Sequence, residues 1–312
     1  EIIFTGSGTE SNNTALQGVL KTGDHFICSG YEPPAVSEIA KKMERNGIEV
    51  TYVQPNKDGC ISTSNILKEC TEHTKLVSIM YVNNEIGTIN PIEEISSECK
   101  KRNILFHTDA VQVIGKKDIN LKESSIDLLS LSSHKFYGPK GVGALFIRNG
   151  INVSPTLLGG GQEKELSPGT ENVSGIAGLG LAISNAKSGI ENNHKKIMTN
   201  EKIFFKQLEK LNITYVLNGG ERLGGIMSIT FHGVKSQDLV MALDLNGFAI
   251  SGGSACSSGS VKASEILLNI GLSSDQALQT VRISIGKSHT KDDVIALANE
   301  IKKAIERISD VS

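Results

Sequence analysis

Apolar and polar positions along this chain follow two rhythms that take turns: short apolar runs, then stretches with helical spacing. EIIF (1–4) reads as a strand, and TESNNTALQGVLK (9–21) as a helix opened by Thr9. HFICS (25–29) is the next strand. Val36, Ile39, Ala40 and Met43 then recur at helical spacing, with Gly47 as the stop. IEVTYV (48–53) alternates as a strand, and the stretch around Ile66 to Cys70 is helical. KLVSIMYV (75–82) is a continuous apolar run of the kind that buried parallel strands show. Pro91 stands in the first turn of a helix over PIEEISSECKKR. ILFHTD (104–109), IDLLSLS (126–132) and VGALFI (142–147) complete the strands. Such alternation predicts parallel strands joined by crossovers, an α/β sheet with helices on both faces.

The pattern changes near residue 172. Residues 172–211 read as one or two extended helices. GGIMSITF (224–231), GFAIS (247–251) and VRISI (281–285) read as strands, with helices from Ser236 and near 261–270 between them. A last helix starts at Thr290 and presents Val294, Leu297, Ala298, Ile301, Ala304, Ile305 and Ile308 on one face. This half predicts an α+β domain.

Composition narrows the classes. At 312 residues the chain is long enough for about two domains. Its 32 Lys+Arg and 34 Asp+Glu give a net charge of −2, so no basic footprint for direct nucleic-acid binding stands out. No apolar stretch approaches the ~18 residues of a membrane span, and EIIFTGSG is not a signal peptide. Five cysteines, with no C-x-x-C pair, argue against a disulfide framework or zinc site and for a reducing, cytoplasmic setting. Cys28, Cys60, Cys70 and Cys99 lie in ordinary core or helix segments. Cys256 sits in SGGSACSSGS (251–260), a Gly/Ser run with no apolar periodicity, and alone it reads as an incidental loop thiol.

Ligands of open α/β sheets bind beyond the carboxyl ends of the strands, and four places put polar residues there. TGSGTESNN (5–13) is a Gly turn opening a helix, whose free amides and Thr9 hydroxyl would hold a phosphate; a capped helix start explains it equally well. Asp109 and Gln112 end an apolar strand, where a carboxylate can pair with a protonated ring nitrogen or merely cap a helix. In LSSHKFYGPKGVGAL (131–145), Lys135 follows a strand and precedes a Gly/Pro turn, a position suited to a Schiff-base lysine or to a surface lysine. Arg282, inside an apolar strand, needs an anionic partner, from the protein or from a substrate. One cofactor accounts for the first three places, pyridoxal 5′-phosphate. The arginine and Cys256 point to an amino-acid substrate and a nucleophilic sulfur.

With these segments in view, the chain resembles the pyridoxal-phosphate-dependent cysteine desulfurases. The resemblance rests on EIIFTGSGTESNN, VSIMYVNNEIGTINPI, FHTDAVQVIGK, SSHKFYGPKGVGALFIR, LLGGGQE, PGTENV, SGGSACSSGS and VRISIGK, in order along nearly the whole chain. It implies an aminotransferase-like α/β fold (PLP fold type I): a large domain with a mainly parallel sheet and a smaller α+β C-terminal domain. Boundaries follow at 1–171 for the cofactor domain, 172–211 for connecting helices and 212–312 for the small domain carrying the cysteine loop. The resemblance makes Lys135 the Schiff-base lysine and Asp109 the partner of the pyridine nitrogen. Gln112 and Asn84 would lie near the ring hydroxyl, with Asn84 also close to the substrate. Gly8, Thr9, Ser132 and His134 would hold the phosphate, and Thr170 would reach the phosphate of a second subunit in a homodimer. Arg282 would bind the carboxylate of L-cysteine. Cys256 would attack the sulfur of the cysteine–cofactor adduct, leaving L-alanine and a persulfide for a sulfur-acceptor protein. No metal is implied. The acceptor could serve iron–sulfur clusters, thiolated tRNA or DNA sulfur modification.

Two departures stand out. Pro33, in SGYEPPAVSE, occupies the place of a histidine that stacks on the cofactor ring; Tyr31, Glu32 and His134 are candidate substitutes. Ser167 and Glu165 stand where basic residues are usual, which weakens anion binding there. A cystine or selenocysteine lyase on the same scaffold, or a catalytically weakened structural partner, are the alternatives. The start at Glu1 reads as a truncation after an N-terminal family segment.

Overall fold

The computed structural model describes residues 1–252 and 262–311, with side chains up to residue 308. It forms two compact units, residues 1–55, 61–83 and 90–190, and residues 56–60, 84–89 and 191–312.

In the first unit β1 (Ile2–Thr5) leads to α1 (Gly8–Val19), β2 (His25–Ser29), α2 (Pro34–Arg45), β3 (Glu49–Val53) and α3 (Thr63–Glu69). Then come β4 (Thr74–Ser78), α4 (Ile92–Lys101), β5 (Leu105–Asp109), β6 (Leu128–Ser132) and β7 (Gly143–Ile147). The sheet order is β1-β7-β6-β5-β4-β2-β3. Strands β6, β5, β4, β2 and β3 run parallel as the alternation predicts, and β2 and β6 are buried at every position, so both sheet faces are covered. The edge departs from that expectation: β7 pairs antiparallel with β6, and β1 antiparallel with β7. The cause is the connection from β6 to β7, residues 133–142, whose one helical piece is the single 3-10 turn Ser133–Phe136, too short to carry the chain back for a parallel return.

The predicted apolar face of α2, Val36, Ile39, Ala40 and Met43, packs with Ala15, Leu16 and Val19 of α1 and with Phe26 and Cys28 of β2. α1 opens earlier than its sequence pattern indicates. Ser7, not Thr9, is the cap: it is extended, and its Oγ accepts the Glu10 amide at 3.1 Å. The apolar run 75–82 is regular strand only to Ser78; its remainder is buried and stays bonded to β5, the Ile79 and Tyr81 amides donating to the His107 and Asp109 carbonyls.

One polar bridge crosses the middle of the sheet. His107 of β5 is fully buried, with its ring nitrogens on Ser78 Oγ of β4 (2.7 Å) and Ser130 Oγ of β6 (3.0 Å). It ties three strands together two residues before Asp109.

The stretch 172–211 is a single helix, α5 (Val173–Lys210), which begins in the first unit and ends in the second. The second unit continues with β8 (Val216–Asn218), β9 (Ile226–Thr230), α6 (Ser236–Asp244), β10 (Ser251–Gly252) and α7 (Glu265–Asn269). It closes with α8 (Ser274–Leu278), β11 (Thr280–Ser284) and α9 (Lys291–Val311). Its antiparallel sheet, β10-β11-β9-β8, packs Met227, Ile229, Val281 and Ile283 against Phe204 and Leu208 of α5 and Val294, Ala298 and Ile301 of α9. Of GFAIS only Ser251 is paired, together with Gly252 beyond it; Phe248 and Ile250 pack half-buried against this core without ladder pairing. The periodicity did not reveal β8 or α8, the latter opened by a Ser273–Gln276 capping box.

Burial pushes the His107 imidazole down to about 3. The unfolded chain therefore binds the extra proton below the ordinary histidine range, and the stability His107 contributes at neutral pH is lost as pH falls from ~6.5 towards that value. His107→Ala is expected to cost about 3–5 kcal/mol at neutral pH, from the cavity and two orphaned hydroxyls. Urea unfolding should show the gap to wild type narrowing as the solution is acidified.

Candidate active site

The carboxyl edge of the parallel sheet in the first unit collects most of the residues singled out by sequence. Asp109 ends β5 and is 7% exposed. Its Oδ2 accepts from Asn12 Nδ2 of α1 at 2.7 Å, and its Oδ1 accepts from the Val111 amide at 2.9 Å. Burial pushes the Asp109 carboxyl up, while these two donors and the charge of Lys135 pull it back towards ionisation. A carboxylate so held has both oxygens engaged and a cation in electrostatic reach.

Lys135 is exposed on a single 3-10 turn, Ser133–Phe136, directly after β6. Tyr137 ends that turn in the left-handed region (φ 68°), its amide bonded to the Ser133 carbonyl. Gly138 follows because a Cβ there would meet Ser133 Oγ at 2.0 Å. The turn is therefore tight, and it projects Lys135 at the sheet edge. Ser132 Oγ and His134 Nδ1 lie 3.0 Å apart. Partial burial, then the charges of Lys135 and Lys140, push His134 below the ordinary imidazole range.

Gly8 and Thr9 form the first turn of α1. Ser7 occupies the Glu10 amide with its hydroxyl and the Ser11 amide with its carbonyl, leaving the Gly8 and Thr9 amides without helical partners. A Cβ on Gly8 would approach Val111 Cγ2 to 2.8 Å and Ser132 Cβ to 3.2 Å, so the helix start, the loop after β5 and the end of β6 converge on this glycine. Gln112 is half-buried in that loop, its Oε1 3.5 Å from Lys116 Nζ. Burial and then the charge of Lys135 push Lys116 down to about 8. Thr170 is not part of this cluster. It is exposed beside a cavity of ≈ 240 Å³ lined also by Glu10, Glu163, Ser167 and Pro168.

Asn84 and Arg282 belong to the second unit. Arg282 of β11 donates from Nη1 to the Asn84 carbonyl at 3.1 Å, and its buried Nε is unpartnered, as is Asn84 Oδ1. Its anionic neighbour is Glu85, whose carboxyl is pushed up by burial and pulled back by Ser264 Oγ (2.6 Å) and by the Arg282 charge. The arginine thus has an internal counter-charge and a donor to spare. Cys256 lies outside the described residues.

Sequence reasoning missed Asn12 and Lys116. The readable signal for Asn12 was a polar residue on the buried face of α1, between Gly8 and Ala15–Leu16, where an amide needs a partner. Of the three candidates to replace a histidine at Pro33, Tyr31 is tied to Asn90 and His134 to Ser132, whereas Glu32 keeps a buried oxygen without a hydrogen-bond partner.

The residue set suits pyridoxal phosphate: a buried carboxylate, a lysine at electrostatic range, and free first-turn amides around a glycine that leaves no room for a side chain. Comparison with known proteins agrees. The family model of the class-V aminotransferases matches residues 1–297. The chain is similar to the cysteine desulfurase IscS of Clostridium botulinum (strain Hall), 41% identical over 320 residues that cover 100% of this chain and 81% of the relative. It is similar to a solved NifS-like protein at TM-score 0.91 and 32% identity, covering 98% of this chain and 82% of that one. It also matches a structure of SspA in complex with cysteine at TM-score 0.79 and 34% identity, covering 93% and 82%.

Asn12→Ala removes the side-chain donor that most favours the Asp109 carboxylate. The Asp109 carboxyl should then titrate at higher pH, read from its side-chain carbon resonance in ¹³C NMR. An unmoved titration would show that Asn12 does not set its charge.

Proposed function

This chain belongs to the aminotransferase class-V family as one of its pyridoxal 5′-phosphate-dependent cysteine desulfurases, and from that premise we propose that sulfur leaves L-cysteine as a persulfide on Cys256 for an acceptor protein. The observation that carries the reading is Asp109, buried, hydrogen-bonded on both oxygens and within electrostatic reach of Lys135. When bound, the cofactor supplies an electron sink for the carbon atoms next to the substrate amine.

The protein's own groups divide the remaining work. Asp109 would hold a proton on the ring nitrogen, since an anion fixed in a poorly solvated place stabilises the cation beside it. Lys135 would carry the cofactor's aldehyde carbon and, once free, move a proton to and from the reacting carbons. Gly8, Thr9, Ser132 and His134 would hold the phosphate, and Gln112 the ring hydroxyl, steadied by Lys116. Arg282, with its unpartnered Nε, would take the substrate carboxylate, and Asn84 would help to orient it. The Cys256 thiolate would form an S–S bond to the substrate sulfur as the substrate's C–S bond breaks, and alanine would leave.

The finer assignments belong to the same proposal. The enzyme would be a homodimer with Thr170 reaching the second subunit's phosphate, and it would work in the cytoplasm. Among the described residues no helix is long and apolar enough to cross a membrane. Iron–sulfur cluster assembly is the sulfur pathway that the IscS name of the relatives favours.

Two substitutions test the chemistry separately. Cys256→Ala should drop sulfide release from L-cysteine, under a reductant, to background while the cofactor's visible absorbance persists. Lys135→Ala should abolish the absorbance that survives dialysis in wild type. Undiminished sulfide in the first variant, or unchanged colour in the second, would sink the corresponding assignment.

A further inference from the structure

Glu32 lies in the turn that leaves β2 for α2 and is 6% exposed. Its Oε1 accepts two hydrogen bonds, from Ser29 Oγ at 2.5 Å and from the Met80 amide, beyond the end of β4, at 2.9 Å. Its Oε2 is buried and has no hydrogen-bond partner. One oxygen thus ties the turn to the neighbouring strand's exit, and the other is sealed off from water. Among the described residues the titratable group that acts on it is an acid, Asp109 at the end of β5, and Glu32 in turn helps burial to push up the thiol of Cys28 on β2. From the β4 side the contact is a main-chain amide, not a cation. Pro33 follows at once, with φ −63°, as the cap of α2, so whatever fastens Glu32 also fastens the start of that helix.

A carboxyl in this setting is stable only while it keeps its proton. A neutral acid needs no counter-charge for Oε2, whereas an ionised one would place an uncompensated charge in a dry site beside a second carboxylate. Burial pushes Glu32 up to about 8, with Asp109 adding to the shift and Ser29 and Met80 opposing it.

We infer that Glu32 is a positioning residue of the cofactor edge, a proton-dependent latch that in its neutral form holds the β2–α2 turn to the end of β4 beside Asp109 and releases it on ionising. The part of this inference that concerns the cofactor rests on the proposed function; the latch itself does not. The closed turn keeps its proton up to about pH 8, whereas a released, hydrated turn carries a glutamate of ordinary acidity. Opening therefore becomes easier by about tenfold per pH unit between those two limits and levels off above the higher one. Glu32→Gln retains a carbonyl oxygen for both donors and has no proton to lose, so its latch is insensitive to pH.

The test is amide hydrogen exchange of residues 29–36 in the cofactor-free protein, wild type against E32Q, over a pH series. The ratio of the two exchange rates should climb about tenfold per pH unit and flatten above pH ~8. Dissociation of pyridoxal phosphate from the loaded protein should accelerate in wild type over the same range and stay flat in E32Q. A ratio independent of pH overturns the latch, and cofactor release that ignores pH while the ratio climbs overturns the positioning role at the cofactor edge. Should E32Q fail to fold, ¹³C titration of the Glu32 carboxyl in wild type decides: ionisation in the ordinary glutamate range overturns the proposal. If the protein never acquires cofactor colour, the desulfurase reading fails, and the exchange ratio still decides the latch.

Discussion

Burying the Asp109 carboxyl at the end of β5 costs desolvation free energy, and much of the first unit's carboxyl edge is arranged around offsetting that cost. The offset comes from three directions. Asn12 reaches across from α1, Val111 offers the first free amide beyond the strand, and Lys135 adds a positive charge from the turn after β6. Each donor is in turn held by something plainer. α1 is seated by Leu16 and Val19 in the apolar core, and β5 is locked to both neighbours by His107. A polar site of this kind is rigid because its supports are apolar packing and strand ladders, which have few alternative arrangements.

Glu32 shows the opposite solution a short distance away. Both carboxyls are buried, yet Asp109 has a donor on each oxygen and a cation in reach, whereas Glu32 has donors on one oxygen and an anion for a neighbour. Burial pushes both carboxyls up, but the surroundings of Asp109 pull it back towards ionisation while those of Glu32 favour the neutral acid, and opposed environments of this kind separate the roles of two like groups. The second unit repeats the first solution with reversed emphasis. Arg282, on a strand of a packed sheet, is balanced by Glu85 and by the Asn84 carbonyl, and Ser264 keeps Glu85 ionisable.

The sequence made the repeating elements legible because periodicity directly reports which face of a segment is buried. Val36, Ile39, Ala40 and Met43 are buried together as their spacing requires, and HFICS is a strand over its full length. It also made Asp109 and Lys135 legible as candidates, because a charged residue closing an apolar strand, or in the turn just beyond one, is unusual enough to need a reason. It misjudged what depends on pairing rather than on burial. GFAIS is apolar because it packs, not because it is a strand, and Ser7 instead of Thr9 caps α1 because its backbone is extended there.

The chain by itself therefore determined the order of elements, the apolar faces that must meet and the chemistry available at the sheet edge, since these are properties of local spacing and residue type. Tertiary structure alone decided that β1 and β7 run antiparallel to their neighbours, that Asn12 meets Asp109 from 97 residues away, and that Glu32 is sealed against Met80 without a cation. The physical reason is that a hydrogen bond or a charge pair depends on distance in space and on excluded water. Neither quantity exists until the sheet has closed over its partners.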